Sequence, residues 1–141
     1  MPDSPTGPLV LIVEDNPANL LLVETVLRRG GFRTAAARSG HEMWTRIGLS
    51  RPDLVLMDIQ LPGEDGLTLA RHLKATDRTA TLPIVVLTAH AMKADRARAL
   101  EAGCDGYVAK PIDTRTFAAE LAAILRKHQT PNFGEERPDA R

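Results

Sequence analysis

Five short apolar runs punctuate the chain, and between them apolar residues recur at helical spacing. Leu9 to Val13 (LVLIV) and Leu54 to Met57 (LVLM) are unbroken, which suits strands covered on both faces rather than strands with one wet face. Leu82 to Leu87 (LPIVVL), ending on Thr88, is a third such run, while Phe32 to Ala37 and Gly106 to Ala109 are weaker strands. Asn16 followed by Pro17 predicts a helix start, and Gly30-Gly31 its stop, with Leu20, Val23 and Leu27 on one stripe. Ser39 with Glu42 is a capping-box pattern opening a helix that carries Met43, Trp44 and Ile47 and stops before Pro52. A third helix carries Leu67, Leu69, Ala70 and Leu73. A fourth, from about Lys93 to Ala102, has a thin apolar face with Leu100 as its one large anchor after Met92, and should be the least firmly docked. The last starts near Asp113 and sets Phe117, Leu121, Ile124 and Leu125 along a core stripe.

Strand and helix therefore alternate five times. That order predicts an α/β fold, a doubly wound five-stranded parallel sheet with helices on both faces, and the flavodoxin-like strand order 2-1-3-4-5. The 141 residues suffice for one domain with a real core, expected over 9–128, after a flexible leader over 1–8 and before a disordered tail over 129–141.

Charge and composition then remove several function classes. Eighteen basic residues balance eighteen acidic ones, so no surplus points to direct nucleic-acid or membrane-surface binding. The N-terminus has neither a basic nor an apolar signal region, and no run approaches the length of a membrane span, which gives a cytoplasmic expectation. Cys104 is the only cysteine, a small, half-buried packing residue on this reading. The four histidines have neither metal-ligand spacing nor a paired nucleophile.

Chemistry collects at strand ends. Glu14 and Asp15 follow the first strand, Asp58 ends the third before the Pro62-Gly63 turn, Thr88 ends the fourth and Lys110 follows the fifth. Singly, each is an ordinary cap, turn or solvated residue. In a parallel sheet, however, all these ends share one edge, and the first and third strands flank its topological switch point. Three clustered carboxylates repel unless a positive charge sits among them, and a hard divalent cation held by oxygen ligands, Mg²⁺ in particular, fits that set. Lys110 adds a positive point charge and Thr88 a hydroxyl beside any incoming phosphoryl group.

The ordered set Glu14-Asp15, Asp58 within DIQLPGEDG, Thr88-Ala89, Tyr107 and Lys110-Pro111 resembles the receiver domain of two-component response regulators. It is especially similar to the single-domain DivK type and to receivers of hybrid histidine kinases, over about Leu9 to His128. The resemblance implies a CheY-like fold and a phosphoacceptor role for Asp58, supplied by a histidine kinase or histidine phosphotransfer protein. It implies metal ligation by Asp15, by Glu14 mainly through water, by Asp58, and by the backbone carbonyl of Gln60, with Mg²⁺ as the ion and Mn²⁺ as a substitute. Thr88 and Lys110 would bind the phosphoryl group, Thr88 and Tyr107 would form the switch, and Gln60 and His90 would tune water access to it. Lys110-Pro111 would match the family's cis peptide. Output would pass through the surface of the fourth helix, fifth strand and fifth helix to a downstream protein, as a monomer or weak homodimer.

Other readings carry less. A phosphatase of the haloacid-dehalogenase class needs a second aspartate two residues after the nucleophile, where this chain has Gln60, so a phosphoacceptor signalling protein is expected rather than an enzyme with turnover. A flavin carrier would not place Glu14 and Asp15 against a phosphate, and no nucleotide-binding fingerprint is present. The alternatives retained are a phosphorylation-independent interaction module and a receiver fragment of a hybrid kinase. Met1 and the polar tail favour a stand-alone chain.

Overall fold

Capping chemistry starts the first two helices where the sequence places it. A computed structural model of the chain describes residues 7–89 and 93–129. Its elements run β1 Leu9–Val13, α1 Pro17–Arg29, β2 Arg33–Ala37, α2 Gly40–Leu49, β3 Leu54–Asp58, β4 Gln60–Leu61, β5 Glu64–Asp65, α3 Gly66–Ala75, β6 Ile84–Thr88, α4 Lys93–Glu101, β7 Gly106–Ala109 and α5 Phe117–Gln129. The Asn16 side chain accepts a hydrogen bond from the Asn19 amide at 3.0 Å, with Pro17 as the first helical residue of α1. Ser39 accepts from the Glu42 amide at 3.2 Å, while Glu42 reaches back to the Arg38 amide at 2.8 Å, one residue before the cap.

The sheet order is β2-β1-β3-β6-β7 with every pair parallel. Leaving aside the small antiparallel pair β4-β5, this is the expected 2-1-3-4-5 order. Successive strand residues feed opposite faces, which explains the unbroken apolar runs. Val10 and Ile12 of β1 join Leu54 and Leu56 of β3 under α1 and α5, against Val23, Leu27, Phe117 and Leu121. Leu11 and Val13 join Val55 and Met57 on the other face, against Met43 of α2 and Leu67 and Leu73 of α3.

Several details depart from expectation. Leu100 is 71% exposed and anchors nothing; the buried residues here are Ala99 of α4 and Ala102 just past its end, whose small side chains suit close approach to the sheet. The helix α5 begins at Phe117 rather than near Asp113, because Asp113 closes a turn ahead of it. Its side chain accepts from the Arg115 amide at 2.9 Å and its carbonyl from the Phe117 amide at 2.9 Å. On α5, Phe117, Leu121 and Leu125 are buried and Ile124 is half-buried. Cys104 is buried rather than half-buried. The β4-β5 pair was not expected; Gly63, at φ +70°, makes its turn. Met92, most of the leader and the tail lie outside the described residues.

Gly66 is where the fold touches the site most directly. A Cβ there would lie 2.4 Å from the Asp58 carbonyl oxygen and 2.8 Å from the Ile59 Cα, both backbone atoms that cannot swing away. Gly48, on α2, has nothing within 4 Å of the same position. Gly66→Ala is therefore expected to cost about 1–3 kcal/mol by overpacking, whereas Gly48→Ala should be neutral or stabilising by about 0.5–1 kcal/mol. Urea unfolding of the two variants reads the difference, and coincident midpoints would contradict the close approach.

Candidate functional site

Parallel pairing brings the four strand ends together. Glu14 follows β1 directly, and its amide donates to the Ala37 carbonyl at 2.9 Å, extending the β1-β2 ladder by one step. Asp58 ends β3 opposite Leu87, and Thr88 ends β6 opposite Ala109 of β7. The Lys110 amide then donates to the Thr88 carbonyl at 2.7 Å, which fixes where the lysine leaves the sheet. The Lys110–Pro111 peptide is cis.

The side chains converge accordingly. Carboxylate oxygens of Glu14, Asp15 and Asp58 all lie within 4.8 Å of one another. Lys110 Nζ donates to Asp58 Oδ2 at 2.9 Å and lies 3.5 Å from Glu14 Oε1. The other Asp58 oxygen, Oδ1, accepts from the Gln60 amide at 3.0 Å, and Glu14 Oε2 from the Asn16 amide at 3.1 Å. Asp58 is 6% exposed and Glu14 2%, so both charges have given up most of their water.

For Glu14 that loss shows in its protonation. Burial pushes the Glu14 carboxyl above its ordinary value, and the Asp58 charge adds to the push, outweighing the Asn16 amide and Lys110. For Lys110 burial works downward, but the hydrogen bond and charge of Asp58, then those of Glu14, outweigh it and leave the ammonium held above its ordinary value. Lys110 is a fixed positive charge at neutral pH. An all-oxygen donor set with more negative than positive charge suits a hard divalent cation, and a carboxylate held between a lysine and such a cation suits attack on phosphorus better than proton transfer.

Of the residues singled out from sequence, Glu14, Asp15, Asp58 and Lys110 meet directly. Thr88 is buried one step beyond the Asp58 pairing, and Tyr107 sits half-buried two residues before Ala109, with the Arg96 guanidinium 5.2 Å from its ring centroid. Gln60 is exposed beside Asp58. His90 lies outside the described residues. Sequence reasoning missed the α1 flank: a cavity of about 280 Å³ opens beside Glu14 and Lys110, lined also by Asn19, Leu22 and Pro111. The signal was present, because Leu21 and Leu22 fall off the stripe of Val23, Val26 and Leu27 and are 63% and 44% exposed.

Residues 10–122 match the family model of the response regulator receiver domain. The chain is 39% identical over 116 residues to the polar-differentiation response regulator DivK of Brucella anthropi, covering 82% of this chain and 94% of that protein. It is 39% identical over 142 residues to the sensor histidine kinase GacS of Pseudomonas protegens, covering 96% of this chain but 16% of the kinase. Among solved structures, the receiver domain of the sensor histidine kinase PA1611 from Pseudomonas aeruginosa, with a magnesium ion in its active-site cleft, superposes with a TM-score of 0.73. That pair is 37% identical and covers 86% of this chain and 97% of the other. Fold, strand-end cluster and family match agree: the chain belongs to the response regulator receiver domain family of two-component signalling.

Proposed function

We propose that this receiver takes a phosphoryl group onto Asp58 from a phosphohistidine of a histidine kinase or histidine phosphotransfer protein, and passes the signal to a downstream protein by contact. The carrying observation is the 2.9 Å pairing of Lys110 with an Asp58 carboxylate that also lies within 4.8 Å of Glu14 and Asp15 oxygens. A carboxylate oxygen of Asp58 attacks phosphorus as the phosphorus–nitrogen bond breaks, and the electron pair leaves with the imidazole. Lys110 neutralises charge on the transferred group, and Thr88 donates to its oxygens. Leu22 and the neighbouring cavity give the donor an apolar seat beside the site. Asp15, Asp58, Glu14 through water, and the Gln60 carbonyl would hold Mg²⁺, which would supply charge neutralisation on the phosphoryl oxygens. No described helix is long and apolar enough to cross a membrane.

The output follows from Thr88 and Tyr107. Once Thr88 turns towards the phosphoryl oxygens, the space it leaves lies on the same sheet face as Tyr107, and α4, docked by two alanines, is the element beside it that moves most cheaply.

Incubation with acetyl phosphate should add one phosphoryl group by intact mass, only with Mg²⁺ present and not in Asp58→Asn. Mass gain in Asp58→Asn, or none in the wild type, would sink the assignment. Thr88→Ala should still accept some phosphoryl group while losing the phosphorylation-dependent change at Tyr107; unchanged Tyr107 resonances in phosphorylated wild type would refute the coupling.

Stability reports on the ion separately. Because the Glu14 pKa is raised, its ionised form penalises the folded state, fully above that raised value and not at all below the ordinary 4.5. Without metal, Glu14→Gln should therefore be more stable than wild type at pH 7, and the gap should close as pH falls through the raised value towards 4.5. Mg²⁺ at a hundredfold excess over its Kd should stabilise the wild type by about 2.7 kcal/mol, and Asp15→Asn should lose most of that gain. An equal Mg²⁺ response in Asp15→Asn would remove Asp15 from the ligand set.

A further inference from the structure

A second cavity, of about 380 Å³, opens between α2 and the segment joining α3 to β6, with Trp44, Ile47, Arg51, Arg78 and Thr79 in its wall. It belongs to the edge of the sheet where strands begin: Arg51 lies three residues before β3 and Thr79 five before β6. It is therefore remote from Asp58. Its chemistry is mixed, with the indole of Trp44 36% exposed and two arginines at the rim. Among the described residues neither guanidinium has a carboxylate partner; Arg51 donates to the Arg78 carbonyl and, at 3.1 Å, to Thr81 Oγ1.

The end of α5 reaches the same place. His128 Nε2 lies 2.6 Å from the carbonyl oxygen of Thr81, the residue whose hydroxyl holds Arg51. From Gln129 the sequence continues TPNFGEERPDAR, with Phe133 four residues on and Glu135-Glu136 just beyond. Four extended residues span up to about 13–14 Å, enough to pass from Thr81 across Arg51 into the cavity. The other segment near this edge, residues 1–6, offers one acid and no aromatic side chain.

We infer that this cavity is the seat of the chain's own C-terminal segment, with Phe133 against Trp44 and Ile47 and with Glu135 and Glu136 paired to Arg51 and Arg78. An aromatic pair and two carboxylate–guanidinium pairs are individually modest. The short tether raises their effective concentration to about the millimolar range, so modest contacts suffice. Docking covers the α2–α3 side and leaves the α4-β7-α5 side open to partners.

Trp44 is the only tryptophan, so its fluorescence reads the cavity without a label. In the full chain at low salt, Phe133→Ala and the double variant Glu135→Lys/Glu136→Lys should each red-shift Trp44 emission and raise its quenching by acrylamide. Added salt should reproduce part of the charge-variant effect, since exposed ion pairs are screened. Arg78→Glu should expose Trp44 as well, and combining it with Glu135→Lys/Glu136→Lys should restore protection. Far-ultraviolet circular dichroism serves as the control for folding. Identical emission and quenching in wild type, Phe133→Ala and the double variant would overturn the inference. So would Trp44 protection that vanishes on dilution, because that assigns the cavity to a second copy of the chain.

Discussion

Two buried carboxylates side by side are the constraint around which the rest of this molecule is arranged. With effective dielectric constants near 20, like unit charges 4.8 Å apart repel by roughly 3–4 kcal/mol, and Glu14, Asp15 and Asp58 all lie within that distance. Lys110, through contacts of 2.9 and 3.5 Å, and the amides of Asn16 and Gln60 offset part of it. Burial itself tips the balance against the Glu14 charge, with the Asp58 charge adding to it, and so its pKa stays raised. A fold holds such an arrangement only if its frame is stable elsewhere, and the frame here is a parallel sheet with apolar cores on both faces.

The frame is also pinned at the opposite edge. Lys74 Nζ donates to the Leu82 carbonyl at 2.8 Å and to Asp105 Oδ2 at 3.0 Å, and that same oxygen accepts from the Ile84 amide at 2.9 Å. One lysine thereby ties α3 to the starts of β6 and β7. With those starts fixed, Thr88 and Lys110 at the far ends are set by register alone. Gly66 completes the constraint from the α3 side, since only a residue without Cβ lets that helix begin against the Asp58 carbonyl.

Much of this was legible in the chain because each signal had a local cause. The unbroken runs LVLIV and LVLM required cover on both faces, Asn16-Pro17 and Ser39 marked helix starts, and alternation dictated a common edge for Glu14, Asp58, Thr88 and Lys110. The misreadings share a different cause. Leu100 was expected to be an anchor because leucine is usually buried, yet which face of α4 meets the sheet is decided by how closely Ala99 and Ala102 let it approach. The Asp113 turn was read as a helix start because an Asx turn and an N-cap use the same side-chain hydrogen bond. The apolar α1 flank escaped notice because Leu21 and Leu22 are indistinguishable in composition from the core residues beside them; only their phase on the helix separates the two sets.

The distribution of docking strength bears on how a signal would leave the site. The α5 helix buries Phe117, Leu121 and Leu125, and α3 buries Leu67 and Leu73, each side chain contributing about 1.5–3 kcal/mol by transfer. Among the described residues of α4 only Ala99 is buried, with Ala102 just past its end, while Arg98 pairs with Asp95 and, at 3.5 Å, with Asp65 ahead of α3. Exposed pairs of that kind hold an element weakly and reversibly. Tyr107 lies between these regimes, in a sheet strand but with its ring under Arg96 of α4. A rearrangement beginning at Thr88 would meet rigid packing towards α1 and α5 and a lightly held helix on the other side. On the proposed coupling, the direction of least resistance would run through Tyr107 to α4.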